Sequence, residues 1–295
     1  MSLLQERRDG ITFATLGVLV LSFDALLVRL AAADGADIGF WRGALIMVSA
    51  GMICVFRRRH IRWPDTRALW IAAIAASALY GVNSALFVFS INNTHVANTV
   101  VILASSPLFA AAISWLLFRE QTPKRTLFAI LTAILGVVIV FSASLGQAGQ
   151  LGDLLALLLA VCMAAALTLL RRVPQLPRLP LVAGSGVATA LMCLPFAEPL
   201  SLSSTSYGWL ALMGLVQMPL ATLLIFSATR HLPSAEVSLF LLIETILGPI
   251  WVWWALGEAL PGPTILGGAL ITGAIAVNAV LSLRSQSRLK RQFKR

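Results

Sequence analysis

Four ionisable side chains stand more than a helical turn inside the ends of long apolar runs: Asp24 and Arg29 within 11–33, Arg42 within 36–56 and Glu244 within 234–256. Such a group at membrane depth is expensive unless it is paired or wetted, so each is a functional candidate by default. Asp24 and Arg29 are five residues apart, which points them to different sides of a helix and argues against their pairing. Arg29 and Arg42 fit a snorkelling role toward one interface, with Asp34 or Asp37 as partners. Asp24 and Glu244 fit either carboxyls held by neighbouring hydroxyls or groups that exchange a proton as a cavity wets and dries. Asp24, Arg42 and Glu244 are therefore the coupling or gating candidates.

Around them runs a polar and aromatic stripe. Ser77, Tyr80, Asn83, Ser84, Phe87 and Ser90 recur at three- and four-residue steps, hence on one helical face. That face avoids lipid, either lining a cavity or making helix–helix hydrogen bonds. Asn98, Ser105 and Ser106 precede Pro107, while Gln217 precedes Pro219 and Thr222 follows it. Proline frees a backbone carbonyl, so both places favour a kink beside a solvated space. Tyr80, Asn83, Phe87, Asn98, Ser105, Gln217, Thr222 and Glu244 form the expected substrate-binding set, with Pro107 and Pro219 as gating positions. Both charge signs beside aromatic faces suit a zwitterion with an apolar side chain, and suit a drug-like amphiphile as well. Cys54, Cys162 and Cys193 stand singly in apolar segments, and His60, His95 and His231 are scattered, so no metal site and no cofactor is expected.

The elements that position these residues follow from composition. With 59% of residues hydrophobic, 12% charged and a mean hydropathy of +0.89, the chain lacks the polar surface to coat a water-soluble globule. A hydrocarbon core of about 30 Å asks for roughly 20 apolar residues per helix. That window gives ten expected spans, 11–33, 36–56, 67–91, 95–118, 125–145, 151–171, 179–197, 206–229, 234–256 and 262–283. The first run ends in Ala31-Ala32-Ala33 but is too long and too charged for a signal core, and is read as a mature span. Placing the N-terminus in the cytoplasm puts 20 of the 22 Lys and Arg on cytoplasmic segments and leaves only Arg29 and Arg42, both inside spans. Both termini are then cytoplasmic. The net basic charge fits a membrane surface better than nucleic acid, because the cations lie in short gaps between apolar runs. Trp41, Trp209, Trp251, Trp253 and Trp254 fall near outer ends and Trp63, Trp70 and Trp115 near inner ends, as belt anchors do.

The chain also repeats. A shift of 138 residues lays Ala97, Leu103, Trp115, Glu120 and Pro123 on Ala235, Leu241, Trp253, Glu258 and Pro261; a shift of 142 lays Gly10 on Gly152 and Arg29 on Arg171. Each half holds five spans, and an odd repeat enters the membrane in the opposite sense the second time. The expected organisation is an all-α integral membrane protein of ten helices in two inverted repeats, 1–146 and 147–284, around a central cavity, with a basic cytoplasmic tail over 285–295. Gly268 with Thr272, and Ala269 with Gly273, form small-xxx-small pairs expected to pack internally. Glu120 and Glu258 are expected to cap loops or pair at helix ends.

The segment from Asn98 to Pro123, with Ser105-Ser106-Pro107 and Phe118-Arg119-Glu120, resembles the fourth-to-fifth helix region of the EamA family in the drug/metabolite transporter superfamily. Leu242-Ile243-Glu244-Thr245 through Leu256-Gly257-Glu258 resembles the ninth-to-tenth helix region, with Thr245 where many relatives carry Pro. Within the family the chain is most similar to the YddG-type aromatic amino-acid exporters. That resemblance implies a ten-helix basket in a bacterial-type inner membrane, exporting Phe, Tyr, Trp or related compounds by alternating access. A monomer among membrane lipids, taking a small-molecule substrate, is expected. Export of other metabolites or amphiphiles is the alternative; an intramembrane enzyme on lipid-linked substrates is a further one. A primary pump is disfavoured, since no GxxxxGK[ST] loop is present.

Overall fold

The computed structural model describes residues 3–61, 63–119, 124–144, 149–173, 175–231 and 234–292, and among these it is all helical. The helices are α1 (Leu3–Leu21), α2 (Asp24–Ala31), α3 (Gly35–Phe56), α4 (Arg67–Asn93), α5 (Val96–Ala104), α6 (Ser106–Phe118), α7 (Lys124–Ser144), α8 (Gln150–Arg172), α9 (Arg178–Cys193), α10 (Ser204–Ala211), α11 (Met218–His231), α12 (Ser234–Leu256) and α13 (Gly262–Gln292). Seven stretches among the described residues are long and apolar enough to cross a membrane: Arg8–Ala31, Gly35–Phe56, Arg67–Asn93, Val96–Ile113, Gln150–Leu170, Arg178–Phe196 and Ser204–Ile225. Shorter apolar stretches, Thr126–Ser142, Ile243–Leu256 and Gly262–Asn278, occupy the fifth, ninth and tenth expected spans. Exposed Leu, Ile, Val, Phe and Trp side chains cover the outside, as a lipid-facing surface requires.

Three expected spans are interrupted rather than continuous. Helix α1 ends at Leu21 and α2 starts at Asp24; Ser22 Oγ donates to the Leu19 carbonyl at 2.7 Å, competing with the helical ladder. The chain turns again at Ser105, whose hydroxyl donates to the Ile102 carbonyl, so Pro107 falls in the first turn of α6, where its missing N–H is tolerated. Between α10 and α11 the segment Leu212–Gln217 widens into a π-helical turn that ends two residues before Pro219. A proline four residues on cannot bond the Leu215 carbonyl, and the wider turn accommodates the loss. Pro249 also sits inside α12.

Contacts between helices respect the sequence repeat. Matching α1–α2 to α8, α3 to α9, α4 to α10–α11, α5–α6 to α12 and α7 to α13 sends the α4/α8 contact onto α11/α1, and leaves α3/α9 and α7/α13 as pairs of equivalents. Both of those pairs are antiparallel. Along α3 and α9, Gly39 meets Cys193, Gly43 meets Ala190 and Met47 meets Gly186. Along α7 and α13, Thr126 donates to Asn278 Oδ1 at 3.0 Å while Gly136 meets Gly267 and Ile271. The internal packing expected of Gly268 is present, since it faces Val101, but the close crossing of α13 uses Gly267, one residue earlier, and Gly273 faces open space.

Candidate functional site

Asp24 opens α2, where the unpaired amides of a helix start favour a carboxylate. Across from it, Arg42 lies seven residues into α3, about 10 Å from its start at a rise of ~1.5 Å per residue. Arg42 Nη2 stands 3.0 Å from Asp24 Oδ2, with the two side chains 4% and 5% exposed. The guanidinium carbon lies 5.4 Å from the centre of the Phe87 ring, within cation–π range, and Nη1 is 4.0 Å from Met213 Sδ. The snorkelling expected of Arg42 is therefore replaced by a buried ion pair. Its expected partners are engaged by backbone amides instead: Asp34 accepts from the Ala36 amide at 3.1 Å, capping α3, and Asp37 accepts from the distant Glu198 amide at 2.6 Å.

The break before Asp24 is held from two sides. Gln217, last residue of the π-helical turn, donates through Nε2 to the Val20 carbonyl at 3.1 Å, which the end of α1 leaves without a helical partner. Trp251 on α12 donates through Nε1 to Ser22 Oγ at 2.9 Å, and its ring stacks on Phe23 at 4.9 Å and 11°. Two turns before Trp251 on the same helix, Glu244 lies within electrostatic reach of both Asp24 and Arg42. On α4, Asn83 sits one turn from Phe87 and donates to the Leu79 carbonyl at 2.9 Å.

Five of the expected residues thus converge, Asp24, Arg42, Phe87, Gln217 and Glu244, with Asn83 one turn along α4 from Phe87. The others lie elsewhere. Tyr80, midway along α4 and three residues before Asn83, packs against the cluster of Ala76, Leu170, Leu176 and Leu181. Asn98 is bound into a separate buried network, donating to Asp153 Oδ1 and Oδ2 at 3.0 and 3.1 Å and accepting from Thr264 Oγ1. Thr94 donates to the same Asp153 at 2.6 Å. Ser105 is buried at its own helix break, Pro107 is exposed, and Pro219 and Thr222 are half-buried on α11. Sequence reasoning missed Ser22, Phe23 and Met213, and read Trp251 as a belt anchor. Nothing in Leu21-Ser22-Phe23-Asp24 marks a helix break, since neither Gly nor Pro is present.

A second polar cluster lies at one end of the bundle. Arg29 Nη2 donates to the Thr94 carbonyl at 2.8 Å and to Glu258 Oε1 at 3.2 Å, while Arg29 Nε stands 3.0 Å from Oε2 without pointing at it. Glu258 Oε1 also accepts the Val96 amide at 2.7 Å, capping the start of α5, and lies 3.5 Å from His95 Nδ1. The capping or pairing expected of Glu258 is what the structure contains; Glu120 lies outside the described residues. An open cavity of about 460 Å³ is lined here by Arg29, Asn92, Asn93, Thr94, His95 and Glu258.

The sequence profile of the EamA-like transporter family matches this chain twice, over residues 8–142 and 150–280. The chain belongs to the EamA-like transporter family. Two copies of the EamA unit place it in the drug/metabolite transporter superfamily as a membrane protein, and members of this family are transporters rather than enzymes. No curated protein matches this EamA-like chain at a significant level. Among solved structures, one described only as the crystal structure of a protein has a TM-score of 0.61 and 20% identity, over 93% of this chain and 97% of that one. That likeness is one of fold. Both EamA units contribute to the charged site: Asp24, Arg42, Asn83 and Phe87 come from the first, Gln217, Glu244 and Trp251 from the second.

Proposed function

We propose that this chain is a secondary transporter exporting small organic solutes, namely amino acids including aromatic ones, by alternating access. The observation that carries the reading is the Asp24–Arg42 pair, buried at a broken helix where both repeats meet, with Glu244 nearby and Phe23, Phe87 and Trp251 around it. Discontinuous helices at a repeat interface are where transporters of inverted-repeat type hold solutes and coupling ions. Antiparallel packing of equivalent helices, α3 with α9 and α7 with α13, supports two inverted five-helix repeats. The ten-span arrangement is supported by the lengths of α7, α12 and α13, which at 21, 23 and 31 residues reach the roughly 20 needed. In this reading the protein acts as a monomer in a bacterial-type inner membrane, with both termini cytoplasmic.

The test is efflux from vesicles containing the purified protein and loaded with labelled phenylalanine, tryptophan, leucine or a cationic dye, under imposed proton, sodium or substrate gradients one at a time. Faster release of aromatic amino acids than from empty vesicles is expected. Release of dyes alone would move the reading to amphiphile export, and no release of any solute would remove transport. Glu244→Gln is expected to abolish any dependence on a proton gradient while leaving solute exchange intact; unchanged dependence refutes a coupling role for Glu244.

A further inference from the structure

The buried ion pair is incompletely satisfied, and its two bare atoms are of opposite kind. Asp24 Oδ1 and Arg42 Nε are both buried and have no hydrogen-bond partner among the described residues. Gln217 Oε1, on the side chain that bonds the Val20 carbonyl, and Asn83 Oδ1, one turn from the Phe87 ring that Arg42 faces, are likewise buried without a partner among those residues. A buried polar atom left bare is costly, and native structures normally fill such positions with protein, water or ligand. The open positions are one charged donor on Arg42 against an anionic acceptor on Asp24 and two amide acceptors. A group complementary to that set brings one anionic acceptor and a cation with several N–H donors.

We propose that Asp24 and Arg42 form a clamp for a zwitterion, so that the substrate class of this site is the free α-amino acid. The substrate carboxylate accepts from Arg42 Nε, and its ammonium, with three donors, bonds Asp24 Oδ1 and the neighbouring amide oxygens. The proposal rests on the transport reading above and narrows it. Charge balance points the same way: a zwitterion adds no net charge to a low-dielectric site, and each of its ends meets an opposite partner. An amine alone brings a cation toward Arg42 with nothing for Nε, and a carboxylic acid alone brings an anion toward Asp24 and Glu244. Phe87, already against the guanidinium, and the stacked Phe23 and Trp251 offer the apolar surface that an aromatic side chain covers. Arg42 and Asp24 then touch substrate directly and need not be gating groups alone.

Competition tests the clamp. Vesicles holding the full chain and labelled phenylalanine are challenged with unlabelled phenylalanine, phenethylamine and 3-phenylpropionate. Phenylalanine should compete at a concentration about 10-fold or more below either half-charged analogue, because a site built to hydrogen-bond a group rejects a ligand that lacks it. Arg42→Lys, which keeps the charge and loses the guanidinium fork, should raise the KM for phenylalanine by about 10-fold or more. The double variant Asp24→Asn/Arg42→Gln removes both charges of the pair together and so strands neither member of it. It should run as a monodisperse folded protein and fail to discriminate the three compounds. The clamp is overturned if the folded double variant discriminates as the wild type does, or if phenethylamine competes as well as phenylalanine. Export of dyes with no zwitterion transport sinks the clamp and leaves a transporter standing; no movement of any solute sinks both.

Discussion

Breaking one member of a buried ion pair and removing both are different experiments. Asp24→Asn strips the buried Arg42 guanidinium of the carboxylate 3.0 Å away, and should lower stability by about 3–5 kcal/mol. The double variant Asp24→Asn/Arg42→Gln should recover most of that loss, since two neutral groups need no counter-ion. Thermal unfolding of the detergent-solubilised protein checks both, and equal destabilisation by single and double variants would contradict the pairing. Glu258→Gln should cost far less, about 1 kcal/mol or below, because the Arg29–Glu258 pair is partly exposed at 25% and 18%. At this scale the sequence marked which charges matter and not whom they meet. Asp24, Arg42 and Glu244 were legible because an ionisable residue in an apolar run is conspicuous. Their pairing was not, because Asp34 and Asp37 are nearer to Arg42 in sequence, and only the fold reveals that their carboxylates are already taken by backbone amides.

Elements are held together by close backbone approach, and glycine marks where. A Cβ on Gly43 would stand 2.5 Å from the Ala190 nitrogen and 2.6 Å from the Gly186 oxygen, both backbone atoms that cannot swing away. Gly43→Ala should therefore push α3 from α9 and cost about 1–3 kcal/mol, while lowering transport through Arg42 one residue earlier. Gly51→Ala, on the same helix with nothing within 4 Å, is the matched control and should be neutral or slightly stabilising through helix propensity. Similar melting temperatures for the two variants would show that the crossing tolerates separation. Helix interruptions were partly legible: Pro107 and Pro219 each lie within two residues of an observed irregularity, since proline must disturb the ladder. The break before Asp24 was not, because it depends on Gln217 and Trp251 arriving from the second half of the chain. Likewise the small-residue pattern in α13 identified the right helix and missed the register, as Gly267 rather than Gly268 meets Gly136.

For the whole molecule, the repeat assigns a partner to each end cluster. Arg29 and Glu258 join the first repeat to the second at the end of the bundle where the open cavity lies. Exchanging the halves carries Glu258 to Glu120 and Arg29 to Arg171, residues that the charge pattern assigns to the cytoplasmic side. Glu120 and the Arg171 side chain lie outside the described residues, so this correspondence is one of sequence. Alternating access needs one end closed while the other opens, and an ion pair between repeats is a contact that differs between the two states. Weakening it shifts the population toward the state that lacks it. A cysteine at Asn92, in the cavity lining, reports that state in a background where Cys54, Cys162 and Cys193 are replaced. Glu258→Gln should raise its labelling rate by a membrane-impermeant thiol reagent added outside, and Glu120→Gln should lower it. Unchanged labelling in Glu258→Gln would show that the Arg29 cluster only caps α5 through the Val96 amide, a bond that glutamine keeps. Labelling from the cytoplasmic side alone would instead reverse the orientation drawn from the distribution of Lys and Arg.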